Sequence, residues 1–164
     1  MDPKIRRKIL KCIKRVRKMT LTDACNEYDI VIIDLPSIVY GLKNPTEFLK
    51  NLSIAQQLGI IKARVIVVLD YWKESHIKIS DRYRKILEDL CIEYVLSRDM
   101  PAEIKAAYMC RDYVNRGYKC IVVSRDYDPL LIFDEELIPS RSRFMWTLDL
   151  VKVIDHSCIE MIRR

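Results

Sequence analysis

Glycine is scarce. The chain has three, Gly41, Gly59 and Gly117, in 164 residues, spaced too widely for the loops that bring backbone N–H groups against phosphate in P-loop and dinucleotide folds. ATPase and ordinary dehydrogenase chemistry is therefore not expected. Histidine is scarcer still: His76 and His156 stand alone, and none of the six cysteines forms a C-x-x-C pair, so zinc ribbons and zincins lack their ligands. Most of the cysteines lie in apolar runs and read as packed small hydrophobes. No apolar run is long enough to cross a bilayer, and the N-terminus has the charge but not the apolar core of a signal peptide. The expectation is a cytoplasmic protein without a membrane partner.

What is present is charge, unevenly placed. The formal net charge is +6, yet Met1 to Lys18 holds nine basic residues and one acid, a net of +8, which leaves the remainder at −2. Ile5, Ile9, Leu10, Ile13, Val16 and Met19 recur at helical spacing between those bases. Residues 1–20 thus read as a basic amphipathic helix, and 21–164 as one domain of ordinary size. The apolar stripe of that helix needs a partner, either the domain or a second copy in a homodimer. Its bases, Arg6, Arg7, Lys11, Lys14, Arg15 and Lys18 among them, suit a polyanion such as DNA or RNA.

The rest of the chain alternates. Tyr28 to Leu35 (YDIVIIDL), Ala63 to Asp70 (ARVIVVLD) and Lys119 to Ser124 (KCIVVS) are nearly continuous apolar runs, the pattern of strands buried on both faces. Ile92 to Leu96 and Phe144 to Leu148 read as two further strands. Between them Asn44-Pro45 opens a helix that Gly59 closes, Ser80-Asp81 opens another, and Pro101 opens a third that ends near Gly117. A last amphipathic helix is expected from about Asp149. Strands alternating with helices predict an α/β fold, a three-layer α/β/α domain with a mainly parallel central sheet.

In such sheets ligands collect beyond the carboxyl ends of the strands. Asp34 and Asp70 close two strands, Asp126 and Asp128 follow a third, and Glu103 falls in the first turn of a helix. Each alone could be a turn or cap residue. Together they would repel unless a cation lay among them, and hard oxygen ligands without His or Cys select Mg²⁺ or Mn²⁺. One or two such ions support phosphodiester hydrolysis by an activated water.

These residues resemble the PIN-like nucleases, and among them the flap endonuclease and 5′-nuclease branch. The carriers are IIDLPSIVYGL (Ile32 to Leu42), VVLDYW followed by SDRYRK, and the block MPAEIKAAYMCRDYVNRGYKCIVVSRDYDPLLIF (Met100 to Phe133) with its Ser-x-Asp-x-Asp-leucine motif. The resemblance implies a PIN-like fold and a metal-dependent nuclease whose ligands are Asp34, Asp70, Glu103, Asp126 and Asp128, with Asp34, Glu103, Asp126 and Asp128 catalytic. It also places Lys78 and Arg84, after the second strand, as holders of the scissile phosphate, and Arg125 lies beside the site loop. Tyr71, Trp72 and Tyr83 could stack unpaired bases. Two departures stand out. Lys105 occupies the position of the family's second helix Glu, and after Phe133 the sequence leaves no room for the helix-hairpin-helix region. The first allows an alternative: a nucleic-acid-binding or scaffold protein that cuts weakly or not at all.

Overall fold

The structure is a computed structural model that describes residues 2–13, 18–39, 42, 44–126, 143–146 and 151–154. Its helices are α1 (Pro3–Ile13), α2 (Leu21–Glu27), α3 (Leu35–Val39), α4 (Pro45–Gln57), α5 (Glu74–Asp89) and α6 (Ala102–Asn115). Its strands are β1 (Lys18–Met19), β2 (Ile30–Asp34), β3 (Arg64–Asp70), β4 (Tyr94–Ser97), β5 (Cys120–Val123), β6 (Arg143–Trp146) and β7 (Val151–Ile154).

One sheet holds all seven strands in the order β1-β7-β6-β5-β2-β3-β4. From β6 to β4 every pairing is parallel, as the apolar runs predict. β7 runs antiparallel to β6, and β1 antiparallel to β7. All five residues of β2 and all four of β5 are buried, because helices cover both faces.

Strand alternation sorts the core into two halves. Val31, Ile33, Val65, Val67, Leu69, Ile121 and Val123 face the side carrying α2 to α5, while Ile30, Ile32, Ile66, Val68, Cys120 and Val122 face α6. Continuing the same alternation, Asp34, Asp70 and Ser124 fall on the α6 face at the carboxyl edge.

Local chemistry explains most boundaries. Asn44 caps α4 through a 3.0 Å bond from the Glu47 N–H to its side chain, with Pro45 in the first turn. Gly59 and Gly117 follow α4 and α6 with φ of +71° and +94°, and Cys91 takes the equivalent left-handed position after α5 at +55°.

Four expectations are corrected. The N-terminal helix is described over Pro3–Ile13 and does not reach residue 20, since Lys18–Met19 join the sheet through β7. Leu21–Glu27 forms a helix, capped by the Thr20 hydroxyl, that the sequence pattern does not announce. α5 starts at Glu74, six residues before Ser80, since the Ser80 hydroxyl bonds the Asp70 carbonyl instead of capping a helix. The helix expected from Asp149 gives way at Val151–Ile154 to β7.

Candidate active site

β2 ends in Asp34, whose side chain is only 1% exposed. Its Oδ2 accepts a 2.7 Å bond from the Ser124 hydroxyl at the end of β5. Its Oδ1 is buried with no hydrogen-bond partner among the described residues. Burial pushes the carboxyl up to about 6; the hydroxyls of Ser124 and Ser37 partly offset this, and the charges of Asp70 and Asp126 add to it.

Two serines tie this strand end to its neighbour. Ser37, in α3, donates to the Asp34 carbonyl at 3.1 Å and accepts the Arg125 N–H at 3.0 Å. Ser124 donates to Asp34 and accepts the Asp126 N–H at 3.0 Å. The two serine oxygens also lie 3.2 Å apart, a hydrogen bond in which either hydroxyl could be the donor, so the two local networks meet there. Together they set the chain path that carries Asp126 past Asp34.

Asp70 has a different task. Its Oδ1 accepts the backbone N–H of Ala102 at 2.7 Å, satisfying one of the unpaired amides at the start of α6. That bond places the next residue, Glu103, at the same edge. Glu103 is half-buried, and its carboxyl is pushed up to about 7, first by burial and then by the charges of Asp34, Asp126 and Asp70. Four of the five predicted acids therefore share one electrostatic neighbourhood. They do not form a closed cage: among the described residues no three His, Cys, Asp or Glu side chains gather as a ready metal centre. Asp128, the fifth, lies outside the described residues.

The chemistry of this donor set fits a hard cation. All the groups are oxygens, two carboxyls have their pKa values raised by burial and mutual repulsion, and Asp34 Oδ1 is buried with no partner among the described residues. A divalent ion would satisfy that oxygen and remove the repulsion. Lys105, the departure from the family motif, pairs with Asp99 at 3.8 Å.

The predicted phosphate holders are distributed unequally. Lys78 is exposed on α5. Arg84 pairs along its own helix with Asp81 at 3.6 Å and Glu88 at 4.0 Å. Arg125 is half-buried with its N–H bound to Ser37. Arg6, Arg7 and Lys11 are exposed on α1, Lys18 lies in β1, and Lys14 and Arg15 fall outside the described residues. Tyr71 bonds Asp81 at 2.8 Å under the Arg98 guanidinium, and Trp72 is half-buried against His76 with Lys73 over its ring.

Sequence reasoning missed Ser37 and Ser124. A usable signal existed: Ser124 shares the strand parity that carries Cys120 and Val122 toward α6, and Ser37 stands three residues after Asp34. It also missed a cleft between α3 and α5, lined by Leu35, Pro36 and Val39 on one side and His76, Ile79 and Tyr83 on the other.

No family model matches this chain, and no curated protein resembles it in sequence. Solved structures do resemble it in fold. The Holliday junction-resolving enzyme GEN1, solved with product DNA and a Mg²⁺ ion, superposes with a TM-score of 0.63 at 14% identity, over 92% of this chain and 40% of that one. A T5 5′-exonuclease mutant and the T5 D15 protein co-crystallised with metal ions give TM-scores of 0.45 and 0.44. They are 18% and 17% identical over 73% and 71% of this chain, and 50% and 53% of theirs. The chain thus spans about two fifths of the GEN1 structure it matches. The fold is PIN-like, as the sequence motifs imply.

Proposed function

We propose that this PIN-like chain is a divalent-metal-dependent nuclease, hydrolysing phosphodiester bonds of DNA or RNA at the carboxyl edge of its parallel sheet. The observation that carries the reading is Asp34: a buried carboxylate with one oxygen bonded and the other unmatched among the described residues, in the electrostatic neighbourhood of the half-buried Glu103. Leaving such a group uncompensated costs stability, which is characteristic of a site built for a ligand.

Asp34, Glu103 and Asp126 would hold Mg²⁺ or Mn²⁺, with Asp128 added on the strength of the motif. The ion supplies a positive field and Lewis acidity at the phosphate. The protein supplies position. Ser124 holds Asp34 Oδ2, so that Oδ1 remains for the cation, and Asp70 holds the start of α6, so that Glu103 stays at the edge. Lys78, Arg84 and Arg125 would meet the substrate backbone. Arg84 can exchange its exposed ion pairs for phosphate at small cost, since such pairs contribute at most about 1 kcal/mol.

The test is incubation of the chain with labelled single-stranded DNA, single-stranded RNA and a flap duplex, in Mn²⁺ or Mg²⁺ and in EDTA, beside Asp126→Asn. Metal-dependent cleavage that the variant lacks supports the reading. Lys105 favours a second one, a protein that binds nucleic acid without cutting it. Binding with no cleavage of any substrate would select that alternative.

A further inference from the structure

Five Lys or Arg residues and no acid lie within α1. Asp2 caps it, accepting the Lys4 N–H at 2.7 Å. Ile5 packs on the α6-side core, which seats the helix on the same sheet face as α6. Lys4, Arg6, Arg7 and Lys11 are exposed, and no ion pair among the described residues involves them.

The second half of α6 adds to this face. Arg111 lies over the Tyr108 ring at 4.6 Å and Arg116 over Tyr113 at 4.5 Å, each held against an aromatic, with no ion pair to either among the described residues. Glu103 is at the other end of that helix, and thirteen residues at about 1.5 Å each separate it from Arg116 by roughly 20 Å. Arg116 therefore lies well away from Glu103.

We propose that α1, with Arg111 and Arg116, forms an anchor for the phosphate backbone of nucleic acid that works without metal and apart from the acid edge. Unpaired surface cations keep counterions that a polyanion can displace, so binding here follows charge and not base sequence. The anchor has no acid that would need a cation first. From Arg116 a strand extends about 20 Å, some six nucleotides at 3.4 Å each, before reaching Glu103. The proposal rests on nucleic acid being the substrate, but its test needs no cleavage.

The experiment measures fluorescence anisotropy of labelled single-stranded DNA, duplex DNA and RNA in EDTA, between about 50 and 200 mM KCl. The full chain is compared with the triple variant Lys4→Gln, Arg7→Gln, Lys11→Gln. The expected result is about tenfold weaker binding on every sequence, and a salt slope on duplex shallower by nearly 3. Should the triple variant fail to melt as a folded protein, Arg7→Gln alone is expected to flatten the slope by about 1. Unchanged affinity and slope would overturn the anchor. So would variants that lose binding to phosphatidylserine vesicles while keeping that to nucleic acid. Charge-dependent binding without any cleavage would leave the anchor standing and remove the nuclease reading; metal-dependent cleavage with binding indifferent to α1 would do the reverse.

Discussion

Asp34 and Asp70 end adjacent parallel strands, point to the same face of the sheet and differ in what meets them. At the end of β2 a serine takes one oxygen of Asp34 and leaves the other buried and without a partner among the described residues. At the end of β3 the first turn of α6 arrives, and Asp70 spends an oxygen on its backbone N–H. One aspartate thereby keeps a buried oxygen without a partner among the described residues, and the other spends an oxygen on the helix that brings Glu103. The same residue at the same strand position acquires its role from the neighbouring element.

The sharpest way to break this contrast is to neutralise each acid. Asp34→Asn is expected to lower metal-dependent cleavage by roughly 10³-fold, several kcal/mol of lost field at the phosphate. It should also raise the metal-free melting temperature, because a buried charge is gone. A loss of cleavage together with a lower melting temperature would mean that Asp34 is mainly structural.

The pH dependence comes next. Asp34 and Glu103 have folded pKa values raised to about 6 and about 7. Between pH 4 and 7 the folded state therefore binds more protons than the unfolded one, and metal-free stability must fall as pH rises through that window. For Asp34, shifted by about two pH units, the loss is on the order of 3 kcal/mol; partly exposed Glu103 adds less. Denaturant midpoints across the window should show this fall, and saturating Mg²⁺ should flatten it. A midpoint that rises with pH would contradict the burial of Asp34.

Asp70→Ala should act through the fold. Loss of the bond to the Ala102 N–H costs about 1–2 kcal/mol, read as a lower denaturant midpoint, with cleavage reduced only some 10- to 100-fold as Glu103 loosens. An Asp70 variant that matched Asp34→Asn in lost cleavage without losing stability would make the two strand ends equivalent. The smallest effect is expected from Ser124→Ala: the Asp34 carboxyl should titrate higher still in carboxylate NMR, and stability should drop by about 1 kcal/mol.

Much of this arrangement was legible in the residues. Continuous apolar runs closed by Asp34 and Asp70 were readable as buried strands because helices cover both faces of a parallel sheet. Glu103 was readable two residues after Pro101, the proline that opens α6. β7 and the start of α5 were not. The segment VKVI is too short for periodicity to choose between helix and strand, and Ser80 looks like a cap until Asp70 claims its hydroxyl. Nor could the sequence reveal that Arg84 is engaged with Asp81 and Glu88 while the α1 cations have no ion pair among the described residues.

By itself, the sequence determined the kinds of group present and their order: oxygen acids at strand ends, few glycines, and a basic N-terminal segment set against a slightly acidic remainder. Hydrophobic periodicity is local, so it can be read along the chain. Only the tertiary structure decided which acid would be buried unmatched and which would cap a helix. Those roles depend on Ser124, ninety residues from Asp34, and on Ala102, thirty-two from Asp70. Desolvation and hydrogen bonding depend on neighbours in space, and the chain acquires those neighbours only when β5 and α6 close against β2 and β3.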